Sequence, residues 1–154
     1  MPVGELWELL SDPHHLPRWW PRVERVEEVG EDAFTEVMRT KKGRLVRADF
    51  DVRTDARAHT LTWVQRIAGT PFASVLRAAE TELRLAPAQA DVAGSQATQV
   101  TIELRQQVGR HRDAPGAPGG VLTGSWLRLG SRLVRRAAAR TLEEALDGLE
   151  RIGG

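Results

Sequence analysis

The chain has 154 residues, 41% of them hydrophobic and 28% charged, and a formal net charge of +1. That size and balance suit one soluble domain over residues 1–154, with no basic excess to draw the molecule to nucleic acid or an anionic membrane. No stretch approaches the roughly 18–20 apolar residues of a spanning helix. Asp12, Pro13, Pro17 and Pro21 break the opening residues, which therefore do not read as a signal peptide. The absence of cysteine removes disulfides, thiolate chemistry and Cys-ligated zinc, and the expectation is a cytoplasmic protein without a cofactor.

The first element reads as a helix. Pro2 suits a first helical turn, and Val3, Leu6, Trp7 and Leu10 recur at helical spacing. Ser11-Asp12-Pro13 stops it, and Asp12 is a good N-cap for a second, short helix through about Trp19. From Arg22 to Arg110 the period falls to two. Val46, Ala48, Phe50 and Val52 alternate with Arg47, Asp49, Asp51 and Arg53, and Val100, Ile102 and Leu104 with Thr101, Glu103 and Arg105. Both runs read as half-buried antiparallel strands. Weaker alternation marks Phe34–Met38, Leu61–Val64 and Thr81–Leu85, and turn signals at Gly30, Gly43, Asp55, Gly69 and Gly94 separate the runs. The spacing predicts a meander of about six strands.

Gly109, Pro115, Gly116, Pro118, Gly119 and Gly120 mark residues 109–120 as a mobile connection. Beyond it, Leu122, Trp126, Leu129, Leu133, Ala137, Leu142, Ala145, Leu149 and Ile152 keep helical spacing. A helix of that length would run about 45 Å at 1.5 Å per residue, and needs a broad partner such as the dry face of a sheet.

Two helices, an antiparallel meander and a long C-terminal helix resemble the helix-grip fold of the START-like superfamily, an α+β architecture. Trp7-Glu8-Leu9-Leu10-Ser11-Asp12-Pro13 with Leu16-Pro17-Arg18-Trp19-Trp20-Pro21-Arg22-Val23 resembles the opening of its polyketide cyclase/dehydrase-type (SRPBCC) family. Gly69-Thr70-Pro71-Phe72 and Thr98-Gln99-Val100-Thr101 add to the likeness. The resemblance implies a cavity between sheet and long helix that takes a hydrophobic small molecule. It also implies a strand before the first helix that this chain lacks. Bare sheet edges near Val23 and Thr98 are then expected, from a shortened form of a longer protein or from a strand-sharing oligomer.

The residues offer their own candidates for the cavity. Phe34, Met38, Phe50, Trp63, Phe72 and Trp126 are large apolar groups that would either line it or fill the core, with Leu129 and Leu133 along the helix. Strand parity puts Glu36 on the face of Phe34 and Met38, and Gln65 on the face of Leu61 and Trp63. If those faces point inward, Glu36 and Gln65 orient a ligand, and a buried Glu36 becomes a candidate acid or base. His14 and His15 beside Asp12 lack metal-ligand spacing, as do His59 and His111. Arg128, Arg132, Arg135, Arg136 and Arg140 form a stripe that reads as a solvated face, relieved by Glu143, Glu144, Asp147 and Glu150.

With no Tyr, no Cys and no well-placed His, binding of a hydrophobic, lipid- or polyketide-like molecule is favoured. A cyclase, aromatase or dehydratase using a cavity acid or base is the alternative. A stress-response or toxin-type partner protein of the same fold is a third reading.

Overall fold

The structure, a computed structural model, describes residues 1–89, 96–111 and 124–153, with side chains of the last stretch described from residue 133 onward. Helix α1 spans Val3–Ser11, a single 3-10 turn covers Pro13–His15, and α2 spans Leu16–Trp19. Six strands follow: β1 Val23–Glu27, β2 Ala33–Arg39, β3 Leu45–Asp55, β4 Thr60–Arg66, β5 Leu76–Ala88 and β6 Ala97–Val108. Helix α3, Gly124–Gly153, closes the chain. Asp12 caps the 3-10 turn by accepting the His14 backbone N–H at 2.9 Å, with Pro13 in the first turn.

The strands pair in chain order as one open antiparallel meander. β1 and β6 are its two edges and do not pair with each other, as anticipated for the strands near Val23 and Thr98. Met1 lies against the start of β6, where its carbonyl accepts the Thr98 hydroxyl at 2.8 Å.

Register separates the two faces. Phe34 stands opposite Phe50, Glu36 opposite Ala48 and Met38 opposite Val46. Phe50 then faces Gln65, and Val52 faces Trp63. Leu61 pairs with Leu83, and Trp63 with Thr81. This inner face carries the main apolar core, joined by Leu6, Leu10, Leu16, Trp19 and Trp20 from the N-terminal helices and by Ala145 and Leu149 from α3. The outer face is polar. There the Thr35 hydroxyl donates to Asp49 at 2.6 Å, Arg53 pairs with Glu80 at 3.0 Å, Arg105 pairs with Glu80 at 2.9 Å, and Arg47 pairs with Glu27. Asp49 and Asp51 thus find partners on neighbouring strands, as their alternation with Phe50 implies.

Gly148 decides where α3 crosses α2. A Cβ at that position would overlap the Trp19 carbonyl oxygen and lie 2.8 Å from the Trp19 Cα. Both are backbone atoms, so only glycine permits this approach. The connection after β6 is tethered at its start, because the Gly109 and His111 N–H groups donate to Val75 and Ala73 carbonyls at 3.0 and 2.8 Å. The rest of the connection expected to be mobile lies outside the described residues. No helix among the described residues is long and apolar enough to cross a membrane.

Candidate functional site

The inner face is organised around Trp63. Trp20 meets it edge-on at 5.5 Å between ring centroids, Phe34 edge-on at 5.6 Å, and Trp19 at 5.9 Å. Phe34 stacks on Phe50 at 5.1 Å with 14° between the planes. Edge-on and stacked contacts of this kind satisfy the ring quadrupoles and add to the area each ring buries. Trp63 comes from β4, Trp19 from the last residue of α2 and Trp20 from its C-cap, so this cluster joins elements far apart in sequence.

Glu36 stands beside this aromatic wall. Its strand neighbours across the register are Val26 on β1 and Ala48 on β3, and its same-face neighbours along β2 are Phe34 and Met38. The residue is 2% exposed, and its Oε1 has no hydrogen-bond partner. Burial alone pushes the carboxyl up to about 8, so at neutral pH it is mostly the neutral acid. A buried carboxylic acid without a partner is costly, because its lost hydration is not replaced. Such groups persist where an ordered water or a ligand completes them or where chemistry uses them. Gln65 sits opposite Phe50 and is half-buried, as are Met38, Phe50 and Val52. The inner face is therefore less covered around Phe50, Val52 and Gln65 than at Leu61 and Trp63, each 2% exposed.

Strands β2, β3 and β4 bring together Phe34, Glu36, Met38, Phe50, Trp63 and Gln65 with the parity read from the sequence. Two other candidates fall elsewhere. Phe72 sits in a 3-10 turn, Pro71–Ser74, after the chain has left the sheet, and packs into a smaller cluster with Ile67, Ala73, Leu76 and Ala79. Leu133 is 62% exposed. It lies nine positions before the half-buried Leu142, about two and a half turns, and so on the opposite side of the helix. Trp126 and Leu129 lie outside the described side chains. Trp19, Trp20 and Thr81, all buried on or against this face, were not among the candidates. The signal that could have found the tryptophans is the Trp19-Trp20 pair itself, since two adjacent large rings between prolines need a substantial apolar partner.

His14 Nδ1 lies 2.8 Å from Asp12 Oδ1, and His59 meets Trp7 edge-on at 5.4 Å. Among the described residues, no group of three or more His, Asp or Glu is arranged to hold a metal ion. A hollow of about 860 Å³ lies outside the core, between the Pro17–Val23 corner and Glu144, Asp147, Glu150 and Arg151 of α3. Its charged groups of both signs face water, and Glu36 does not line it.

The family model described as polyketide cyclase/dehydrase and lipid transport matches residues 1–152. Among solved structures, the di-domain ARO/CYC BexL from the BE-7585A biosynthetic pathway is similar at TM-score 0.64 and 19% identity, over 97% of this chain. This chain spans only 43% of that di-domain protein. A conserved protein from Geobacillus kaustophilus is similar at TM-score 0.64 and 18% identity, over 97% of this chain and 86% of its own. The Zhui aromatase/cyclase from Streptomyces sp. R1128 is similar at TM-score 0.59 and 18% identity, over 98% and 88%. No curated protein matches the sequence. At these identities the structural likenesses carry the helix-grip fold and not an activity. The family match extends over nearly every residue of a chain whose inner face is apolar, aromatic and set with one buried acid, and the chain belongs to the polyketide cyclase/dehydrase and lipid transport family.

Proposed function

We propose that the chain acts as one ligand-binding unit that takes a hydrophobic small molecule on the inner face of the sheet, beneath α3, with Glu36 as its polar anchor. The observation that carries this reading is the unpartnered, buried Glu36 carboxyl beside the Phe34–Phe50–Trp63 wall. The family's cyclases and lipid-transport proteins, and the two aromatase/cyclases among the similar structures, support an apolar or polyketide-like ligand. Mass spectrometry of natively purified protein should find a bound apolar molecule, and adding that molecule to stripped protein should change the tryptophan emission, since Trp63 abuts the site. Purification with nothing bound, together with no change in emission across a panel of apolar ligands, would remove the reading.

A second reading follows from the raised carboxyl of Glu36. A group titrating at about 8 is within range for proton transfer at neutral pH, as cyclisation or dehydration of a polyketide-like substrate requires. Under that reading Glu36→Gln binds substrate and loses turnover. Under the binding reading no turnover exists, and the same substitution weakens affinity.

A further inference from the structure

We propose that the solvent side of α3 around Leu133, Arg135 and Arg136 docks the molecule onto an anionic lipid bilayer. The net charge of +1 conceals a division of charge along the chain. Residues 109–142 carry seven arginines and a single acid, Asp113, an excess of six positive charges that leaves the rest of the chain at −5. Helix α3 repeats the division within one element. Arg128, Arg132, Arg135, Arg136 and Arg140 precede any acid, and Glu143, Glu144, Asp147 and Glu150 follow with only Arg151 among them. Among the described arginines of the first half, Arg140 alone reaches the acidic half, pairing with Glu144 at 2.8 Å. Arg135 and Arg136 are exposed and have no ion pair among the described residues.

An apolar group stands beside these charges. Val134 turns inward and packs on the cluster of Ile67, Ala73, Leu76 and Ala79. Leu133, one position earlier, is 62% exposed, the most of any large hydrophobic residue described. At about 100° per residue, Leu133 and Arg136 stand about 60° apart on the side of α3 turned from the core. The same end of the molecule carries exposed Val75, between Ala73 and Leu76, and Arg77, whose Nε donates to the Arg110 carbonyl at 3.2 Å. A leucine set among unpaired arginines matches the boundary between anionic headgroups and acyl chains. The guanidinium groups meet lipid phosphates and carboxylates, and the leucine enters hydrocarbon. A nucleic acid would match the arginines but offers its phosphates, and no apolar partner, to Leu133 and Val75. The acidic second half of α3 is repelled by the same surface, so docking is polarised along the helix.

The test is co-sedimentation of the full chain with vesicles at neutral pH and low salt, using phosphatidylcholine alone and phosphatidylcholine with an equal part of phosphatidylserine. The protein should bind the mixed vesicles, ignore the zwitterionic ones and be released by high salt. One arginine near an anionic surface is worth roughly fivefold in binding, so Arg135→Gln with Arg136→Gln should weaken it by about tenfold or more. Glutamine is a good helix former, so the fold should hold, which circular dichroism checks. Leu133→Ser should weaken binding several-fold through lost insertion. Arg53→Gln with Arg57→Gln removes the same charge from exposed positions elsewhere and should leave binding within about twofold. Absence of binding to the mixed vesicles overturns the proposal. So does an equal loss in the Arg53 and Arg57 pair, which would make net charge the cause, or full binding by Leu133→Ser, which would remove the apolar contact. A random-sequence DNA duplex, matched in phosphate to the accessible lipid, should not strip the protein from the vesicles. If it does, the surface is one for nucleic acid and the proposal fails.

Discussion

At the scale of single residues, Glu36 departs most from what a core tolerates. Its carboxyl rises from an ordinary 4.5 to about 8 through burial. The folded state therefore holds a proton that the unfolded chain releases above about 4.5, and stability must fall as pH rises from there toward 8. The contribution is fully present below the lower value and lost through the upper one. At about 1.4 kcal/mol per unit, the loss is several kcal/mol in size. Thermal denaturation across this range should show the decline in the wild type and a much flatter profile in Glu36→Gln, once other groups are subtracted. Identical profiles would mean that Glu36 is not held as a buried neutral acid. Trp63 is the opposite kind of residue, buried and in contact with three other rings. Trp63→Ala should cost about 3–5 kcal/mol by urea denaturation, through lost area and the cavity left behind.

At the scale of elements, the crossing of α2 and α3 is set by a missing side chain. Gly148→Ala gains helix propensity of about 1 kcal/mol, but its Cβ would meet the Trp19 Cα and carbonyl carbon at 2.8 and 3.0 Å. Backbone cannot rotate away, so the helices must separate. The substitution should destabilise by about 1–3 kcal/mol net and shift the tryptophan emission. Gly4, in α1, has open space where a Cβ would stand, with no atom within 4 Å. Gly4→Ala should therefore stabilise by roughly 0.5–1 kcal/mol, which makes it the control that separates packing from propensity. The start of the second helical segment depends on Asp12, whose carboxylate accepts from the His14 backbone and ring. Asp12→Ala should cost about 1 kcal/mol.

At the scale of the whole molecule, the two faces of the sheet contribute unequally. The outer face carries many Arg–carboxylate pairs, but their side chains are exposed, Arg53 at 69% and Arg66 at 56%. Exposed pairs of this kind contribute about 0–1 kcal/mol each and weaken with salt. Arg53→Ala should thus change stability by less than about 1 kcal/mol, and high salt should lower the melting temperature only slightly. A large salt-dependent loss would mean that the outer lattice, rather than the aromatic core, holds the sheet together.

Much of this molecule is legible in one dimension because β2, β3 and β4 pair without a break in register, so side chains alternate between the faces. Val46 to Arg53 assigns each side chain to a face with no knowledge of the partner strand, and the same parity placed Glu36 beside Phe34 and Gln65 beside Trp63. The cap at Asp12 and the stops at the prolines are likewise local, fixed by backbone geometry within a few residues. Other features depend on contacts between distant segments. Leu133 keeps helical spacing with its neighbours yet faces outward, since a spacing that drifts from 3.6 rotates around the helix and only packing selects the buried side. Phe72 is a large apolar residue like those of the core, but it leaves the sheet with the turn after β4. The cluster of Trp19, Trp20 and Trp63, and the glycine at 148 that lets α3 approach it, exist only once the helices close on the sheet. The lack of a partner for Glu36 is likewise a tertiary fact. Sequence put an acid on the inner face, but whether anything answered it depended on every element that came to surround it.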